Sequence, residues 1–154
     1  MAVRAARFLT ELHKFAAVGL DSSLLIYHLE DMKPYSDLTE AAFAAIAAGA
    51  PRAVLSTVSV TELLVRPFAA SEPDRVETFE RFLLSLPNSV LRAPDYATAK
   101  EAARLRARYG IRTPDALLVA TARNERADAF ITNNVSLRKL KAEGLTVLVL
   151  DDYV

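Results

Sequence analysis

The chain has no cysteine and no tryptophan, and only four glycines and two histidines in 154 residues. Without cysteine there is no disulfide, no thiolate nucleophile and no thiolate-ligated metal, and a reducing compartment is the natural setting. His13 and His28 do not fall at a metal-ligand spacing, so a zinc centre built on imidazole is not expected. An excess of either charge is also lacking: 19 basic residues balance 19 acidic ones. A uniformly basic surface for nucleic acid is therefore excluded, although a local patch is not. No apolar run is long enough to cross a bilayer. In the N-terminal "MAVRAARFLTELHKF", Glu11, His13 and Lys14 interrupt any signal-peptide core. These absences predict a soluble, cytoplasmic protein with no membrane partner.

What remains is an ordinary globular composition, 52% hydrophobic and 25% charged, in a chain long enough for one sizeable core. There is no internal repeat, low-complexity segment or linker. Residues 3–14 read as a short amphipathic helix with Phe8, Leu9 and Leu12 on one side. Short apolar runs at 15–20, 53–57, 89–94, 129–133 and 145–150 read as strands. Helical patterns fall between them, at 23–30, 37–49, 58–67, 71–87, 95–110, 113–127 and 136–144. Within these, Gly49 is placed as a C-terminal cap, Pro67 as a stop and Ser71 as an N-cap. The strands are continuously apolar rather than alternating, as expected when both faces of a sheet are covered. The fold class expected is α/β, a three-layer α/β/α sandwich with a mainly parallel central sheet. Residues 1–14 form an N-terminal helical extension to a single domain at 15–154.

In such sheets ligands collect at the carboxyl ends of the strands. Asp21 directly follows the first strand, Glu62 lies early in the helix after the second, and Asp115 opens an apolar helix. The segment Thr132-Asn133-Asn134 ends the fourth strand. Neighbouring carboxylates repel unless a cation lies between them or one takes up a proton. Mg²⁺ or Mn²⁺ prefers oxygen ligands and can polarise a phosphodiester and a water together. Each residue also has a purely structural role open to it. Asp21 can cap the helix that follows; Ser59-Val-Thr-Glu62 fits a capping box; Thr113-Pro114-Asp115 fits a helix start. Their shared position at strand ends is what favours a site.

The segments "LDSSLLIYHLE", "STVSVTELLVRP" and "TPDALLVATARNERADAFITNN" resemble, in order and spacing, the motifs of PIN-domain nucleases. The resemblance runs over about residues 15–150, and the chain's size is similar to the VapC-type toxins of bacterial toxin–antitoxin pairs. It implies a ribonuclease dependent on Mg²⁺ or Mn²⁺. Asp21, Glu62 and Asp115 would form its acidic, metal-holding and catalytic triad, with Asp21 and Asp115 the direct ligands. Thr132 would support Asp21, and Ser23 would help order the loop. An antitoxin protein and a second copy of the chain are the partners implied, besides RNA.

Two departures from the family pattern stand out. Asn134 occupies the place of a fourth acid, offering a neutral oxygen without charge. A helix also precedes the first strand, where the family's chains ordinarily begin. The first departure leaves an alternative: a PIN-like module that binds RNA or protein with little or no nuclease activity. Arg112, three residues before Asp115, and Arg66 are the candidate phosphate contacts. The run Arg104, Arg106, Arg108 reads better as a solvated helix face. Asp128 begins a strand and is assigned to the opposite edge; Asp151 and Asp152 are expected in solvent. Apolar excess on the helices at 37–49 and 71–87 is compatible with a protein partner.

Overall fold

Five short segments, each mostly apolar, form the strands β1 (Ala17–Leu20), β2 (Arg52–Ser56), β3 (Ser89–Arg92), β4 (Ala129–Thr132) and β5 (Thr146–Val149). The structure, a computed structural model, describes residues 2–154. All four strand pairings are parallel, in the order β3-β2-β1-β4-β5. Every residue of β1 and β4 is buried, which explains their unbroken apolar sequences.

Parallel neighbours require crossovers, and helices supply them. After α1 (Ala2–Leu12), which precedes β1, they are α2 (Ser22–Leu29), α3 (Tyr35–Ala47), α4 (Val58–Ala69), α5 (Pro73–Ser85), α6 (Tyr96–Tyr109) and α7 (Thr113–Asn124), with the segment Val135–Glu143 between β4 and β5. Two hydrophobic clusters lie on the two faces of the sheet. One gathers Phe8, Leu12, Leu25, Phe43, Ile46, Leu64 and Phe79 from α1 to α5. The other gathers Leu105, Val119, Leu137 and Leu140 from α6, α7 and the segment before β5. This is the three-layer sandwich expected. Phe8 and Leu12 of α1 are fully buried, and the Phe8 ring packs 5.0 Å from that of Tyr153.

Some local expectations are corrected. The segment Val135–Glu143 is 3₁₀-helical rather than α-helical. Pro67 does not stop α4, which runs on to Ala69. Its missing N–H removes one bond in the last turn, where the loss is tolerated. Ser71 does not cap α5. It adopts φ 54° in a sharp reversal, and the helix opens on Pro73 after Glu72. The apolar residues of α3 face the core, while Leu84 of α5 and Val65 and Phe68 of α4 are exposed. Among the described residues no helix is long and apolar enough to cross a membrane.

A Cβ built on Gly19 would lie 2.4 Å from Cβ of Ala122 and 2.7 Å from Cδ2 of Phe130. Glycine at the middle of β1 is thus what lets α7 lie this close to the central strand.

Candidate active site

The strand order reverses direction at β1: the chain passes to β2 and β3 on one side, then returns to β4 on the other. Asp21 leaves β1 at this switch point, the place where open parallel sheets bind ligands. Its backbone N–H donates to the Ile131 carbonyl at 3.0 Å, so the pairing with β4 continues one residue beyond the strand. Thr132, at the end of β4, then stands beside it. The Thr132 hydroxyl donates to Oδ2 of Asp21, and both side chains are buried.

Asp21 occupies the N-cap position of α2, yet its carboxylate makes no capping bond there. The cap reading therefore fails for the side chain, which turns toward the sheet edge. Burial pushes this carboxyl up from 3.8 to about 6. The Thr132 bond and the Ser22 backbone N–H pull it down, while the charges of Asp115 and Glu62 push it further up. The three carboxylates thus share one electrostatic environment, although they come from three different elements.

Glu62 lies in the second turn of α4. The capping-box reading fails here too, because the helix starts at Val58 with Thr57 at its N-cap, leaving Ser59 inside. Glu62 points instead to α2, where Ser22 Oγ donates to its Oε1 at 2.8 Å. The Ser22 and Ser59 hydroxyls are also 2.8 Å apart, and both residues are buried. Ser22 has a single hydroxyl proton, already given to Glu62, so Ser59 must donate to Ser22. Ser22 therefore ties Glu62 to the residue next to Asp21, and its backbone N–H is among the groups that lower the Asp21 carboxyl. The ordering role expected of Ser23 falls to this neighbour, since Ser23 Oγ is enclosed without a hydrogen-bond partner among the described residues. Two adjacent serines open α2, and nothing in the sequence tells which one faces α4.

Asp115 stands in the first turn of α7, half-buried. Burial raises its carboxyl above the usual range, against Arg112 and Asn134, which lower it. Asn134 corrects another expectation. Its Oδ1 accepts from the Ser136 N–H at 3.0 Å and the Ser136 hydroxyl at 2.8 Å, capping the 3₁₀ segment. What it turns to Asp115 is its amide nitrogen, at 3.4 Å from Oδ2. It gives the site a donor rather than an oxygen ligand.

Arg112 is exposed at the N-cap position of α7, near Asp115. Arg66 is exposed one turn after Glu62 on α4. Arg104 is committed elsewhere, bonding Glu101 and Glu143 with Arg123 alongside, next to the chain segments that enter β4 and β5. Asp128 lies in that same region, at the edge opposite Asp21. Asp151 is exposed, as expected, but accepts from the Tyr35 hydroxyl at 2.7 Å and the Asn133 amide at 3.2 Å.

Among the described residues no three His, Cys, Asp or Glu side chains are grouped tightly enough to enclose a metal by themselves. The donors still suit a hard divalent ion, which takes one or two carboxylates and keeps several waters. Asp21 has one oxygen engaged by Thr132 and no cationic side chain bonded to it. A buried carboxylate flanked by two more acids is the kind of uncompensated negative charge that a cation relieves. Among these side chains, the Ser22 bridge gives the sharpest check on the geometry. Ser22→Ala is expected to weaken Mn²⁺ binding about tenfold or more, as for other groups that orient ligands, while Ser22→Thr restores it. Titration calorimetry with Mn²⁺ alone would measure this.

Among curated proteins none matches the chain by sequence. Solved structures match it over most of its length. A chain of VapBC2 from Rickettsia felis, bound to a DNA fragment from its promoter, shares 15% identity at a TM-score of 0.65, covering 85% of this chain and 96% of that one. DNA-bound VapBC from Salmonella typhimurium gives 17% and 0.64 over 87% and 97%. VapBC-5 from Mycobacterium tuberculosis gives 23% and 0.58 over 87% and 98%. At these identities the likeness is one of fold. The PIN-domain family model matches residues 18–143, from the second residue of β1 to the end of the 3₁₀ segment; the chain belongs to the PIN-domain family.

Proposed function

We propose that the protein is a Mg²⁺- or Mn²⁺-dependent endoribonuclease and the toxin half of a toxin–antitoxin pair. One observation carries the reading: three carboxylates, Asp21, Glu62 and Asp115, interact electrostatically at the switch point, with Asp21 buried and without a cationic bonding partner. PIN domains are generally nucleases, and solved structures of similar fold come from VapBC toxin–antitoxin complexes.

Asp21 and Asp115 are the direct holders of the cation. Thr132 fixes the orientation of Asp21, and Ser22 keeps Glu62 directed to the same site. Bound there, the ion supplies Lewis acidity toward a phosphodiester oxygen and toward water. Glu62 keeps Oε2 free of protein hydrogen bonds among the described residues, so it can reach the ion through water or hold a water proton. Asn134 donates to Asp115 and adds no charge, which suits a site holding a single ion. Arg112 and Arg66, both exposed, are the proposed contacts to phosphates flanking the scissile one. On the outer side of α4, Val60, Leu64, Val65 and Phe68 line an apolar surface for the antitoxin chain, and a homodimer is the expected state of the free toxin.

The reading is tested with purified protein and a mixed single-stranded RNA. Cleavage is expected with added Mg²⁺ or Mn²⁺, none in EDTA, and at least about a hundredfold loss in Asp115→Asn. Cleavage that continues undiminished in EDTA would sink the metal dependence. Inert wild-type protein across both metals would sink the nuclease reading as a whole.

A further inference from the structure

Beside the carboxylates, between α2 and α4, lies a cavity of about 420 Å³. It is lined by Ile26, Tyr27, Met32, Glu62, Val65 and Arg66, among others. We infer that this cavity seats one unpaired base of a single-stranded RNA, next to the phosphate that the Glu62 side of the site would act on. The inference rests on the ribonuclease reading and adds to it a place on this chain where the strand is recognised through one base.

Four observations support a base as the occupant. The volume lies within the range of small-molecule sites. The lining is mostly apolar, with the Tyr27 ring to offer a π-face, and its charged members are Glu30, Glu62 and Arg66. Tyr27 is preset: its ring stacks on Tyr35 with centroids 4.5 Å apart, and its hydroxyl accepts from the Asn133 amide at 3.2 Å. An aromatic wall held in place before binding loses little freedom when a base meets it. Finally, Glu62 and Arg66 are one turn apart on α4 and both border the cavity. A base entering here brings its own phosphate to Arg66, which has no hydrogen-bond or ion-pair partner among the described residues, and an adjoining phosphate to the carboxylates. The other acid on the wall, Glu30, is already paired with Arg75 at 2.5 Å and so does not oppose the phosphate chain. A protein segment would find a more continuous apolar surface on the outer side of α4. The inner cavity offers a short apolar slot with a cation at one end, which matches a nucleotide.

The probes are a fluorescein-labelled decamer of oligoadenylate, a decamer of the same sugar-phosphate backbone without bases, and the decamer paired to its complement. Binding is measured by anisotropy to the Asp21→Asn protein in EDTA, so that no strand is cut. The intact strand is expected to bind about tenfold more tightly than the abasic one, from one stacked base, and the duplex more weakly than the single strand. Met32→Trp, a change at a half-exposed turn residue, should fill the cavity and abolish the difference between intact and abasic strands. Arg66→Gln should weaken both strands alike and lower the salt dependence by about one phosphate contact. Equal affinity for intact and abasic strands, as expected of a cavity built for protein, overturns the base seat. So does a Met32→Trp protein that keeps the difference. If wild-type protein still cleaves RNA under those outcomes, the seat alone has failed; if no strand binds at low salt, the ribonuclease reading fails with it.

Discussion

Asp21→Asn is expected to abolish RNA cleavage and to raise thermal stability in the same protein. The two effects have one cause. Asp21 is buried, and its carboxyl is pushed from 3.8 to about 6 because the charged form is poorly solvated. A rise of this size corresponds to about 3 kcal/mol of destabilisation at neutral pH. Asparagine keeps the shape, and its single amide oxygen can still accept from the Thr132 hydroxyl. It removes only the charge, so Tm should rise by about 5–10 °C at pH 7.5 in EDTA. The loss of activity should be at least about a hundredfold, since in the proposed function the group lost is a direct holder of the cation.

The pH dependence follows from the direction of the shift. Between about pH 4 and 6 the folded chain holds a proton on Asp21 that the unfolded chain has released. Stability is therefore greatest at the acid end of that window and is lost as pH rises through 6. The Asp115 carboxyl, raised in the same sense, adds to the slope. In Asp21→Asn most of the slope disappears, and added Mn²⁺ no longer stabilises the protein at pH 7.5. Calorimetric melts at pH 5 and 7.5, with and without Mn²⁺, would show it. An Asp21→Asn protein less stable than wild type at pH 7.5 would mean that the carboxylate is compensated by something other than a cation.

The second large effect is at Gly19. Gly19→Ala places a methyl 2.4 Å from Ala122 Cβ and 2.7 Å from the Phe130 ring, both within the core. Neither neighbour is the free end of a flexible side chain, so β1 and α7 must separate. A loss of about 3 kcal/mol is expected, at the upper end for overpacking, and Tm should fall by about 10 °C. The same shift carries Asp115, at the start of α7, away from Asp21. Mn²⁺ affinity should therefore drop even at temperatures where the variant is fully folded. Gly49→Ala is the control: nothing lies within 4 Å of its Cβ, and only its φ of +117° opposes the change. Urea unfolding and Mn²⁺ calorimetry on both variants separate packing from backbone strain.

Asp21 was readable because it follows an apolar run and precedes an apolar helix, and Glu62 because it lies early in the helix after β2; Asp115 follows α6 rather than a strand, and only the start of α7 marked it. Short apolar strands alternating with helices make a parallel sheet, and a parallel sheet brings its carboxyl ends together. The side-chain partners were not readable, because they depend on helix rotation. Ser59-Val-Thr-Glu62 has the spacing of a capping box whether Glu62 turns back on its own helix or across to Ser22, and only the packing of α2 against α4 decides. Ser22 and Ser23 are indistinguishable as letters, and a rotation of about 100° separates a bridge from an unpaired hydroxyl. Asn134 was misread for a related reason. Its oxygen is claimed by a 3₁₀ segment that an α-helical pattern had concealed, so the amide is what remains for Asp115.

The position of β1 at the centre of the sheet has a temporal consequence. The hydroxyl that orients Asp21 belongs to Thr132, made 111 residues later. Until β4 has left the ribosome, β1 lacks one of its two neighbouring strands and Asp21 lacks its support. A chain still being translated thus carries Asp21 long before it carries the hydroxyl that orients it.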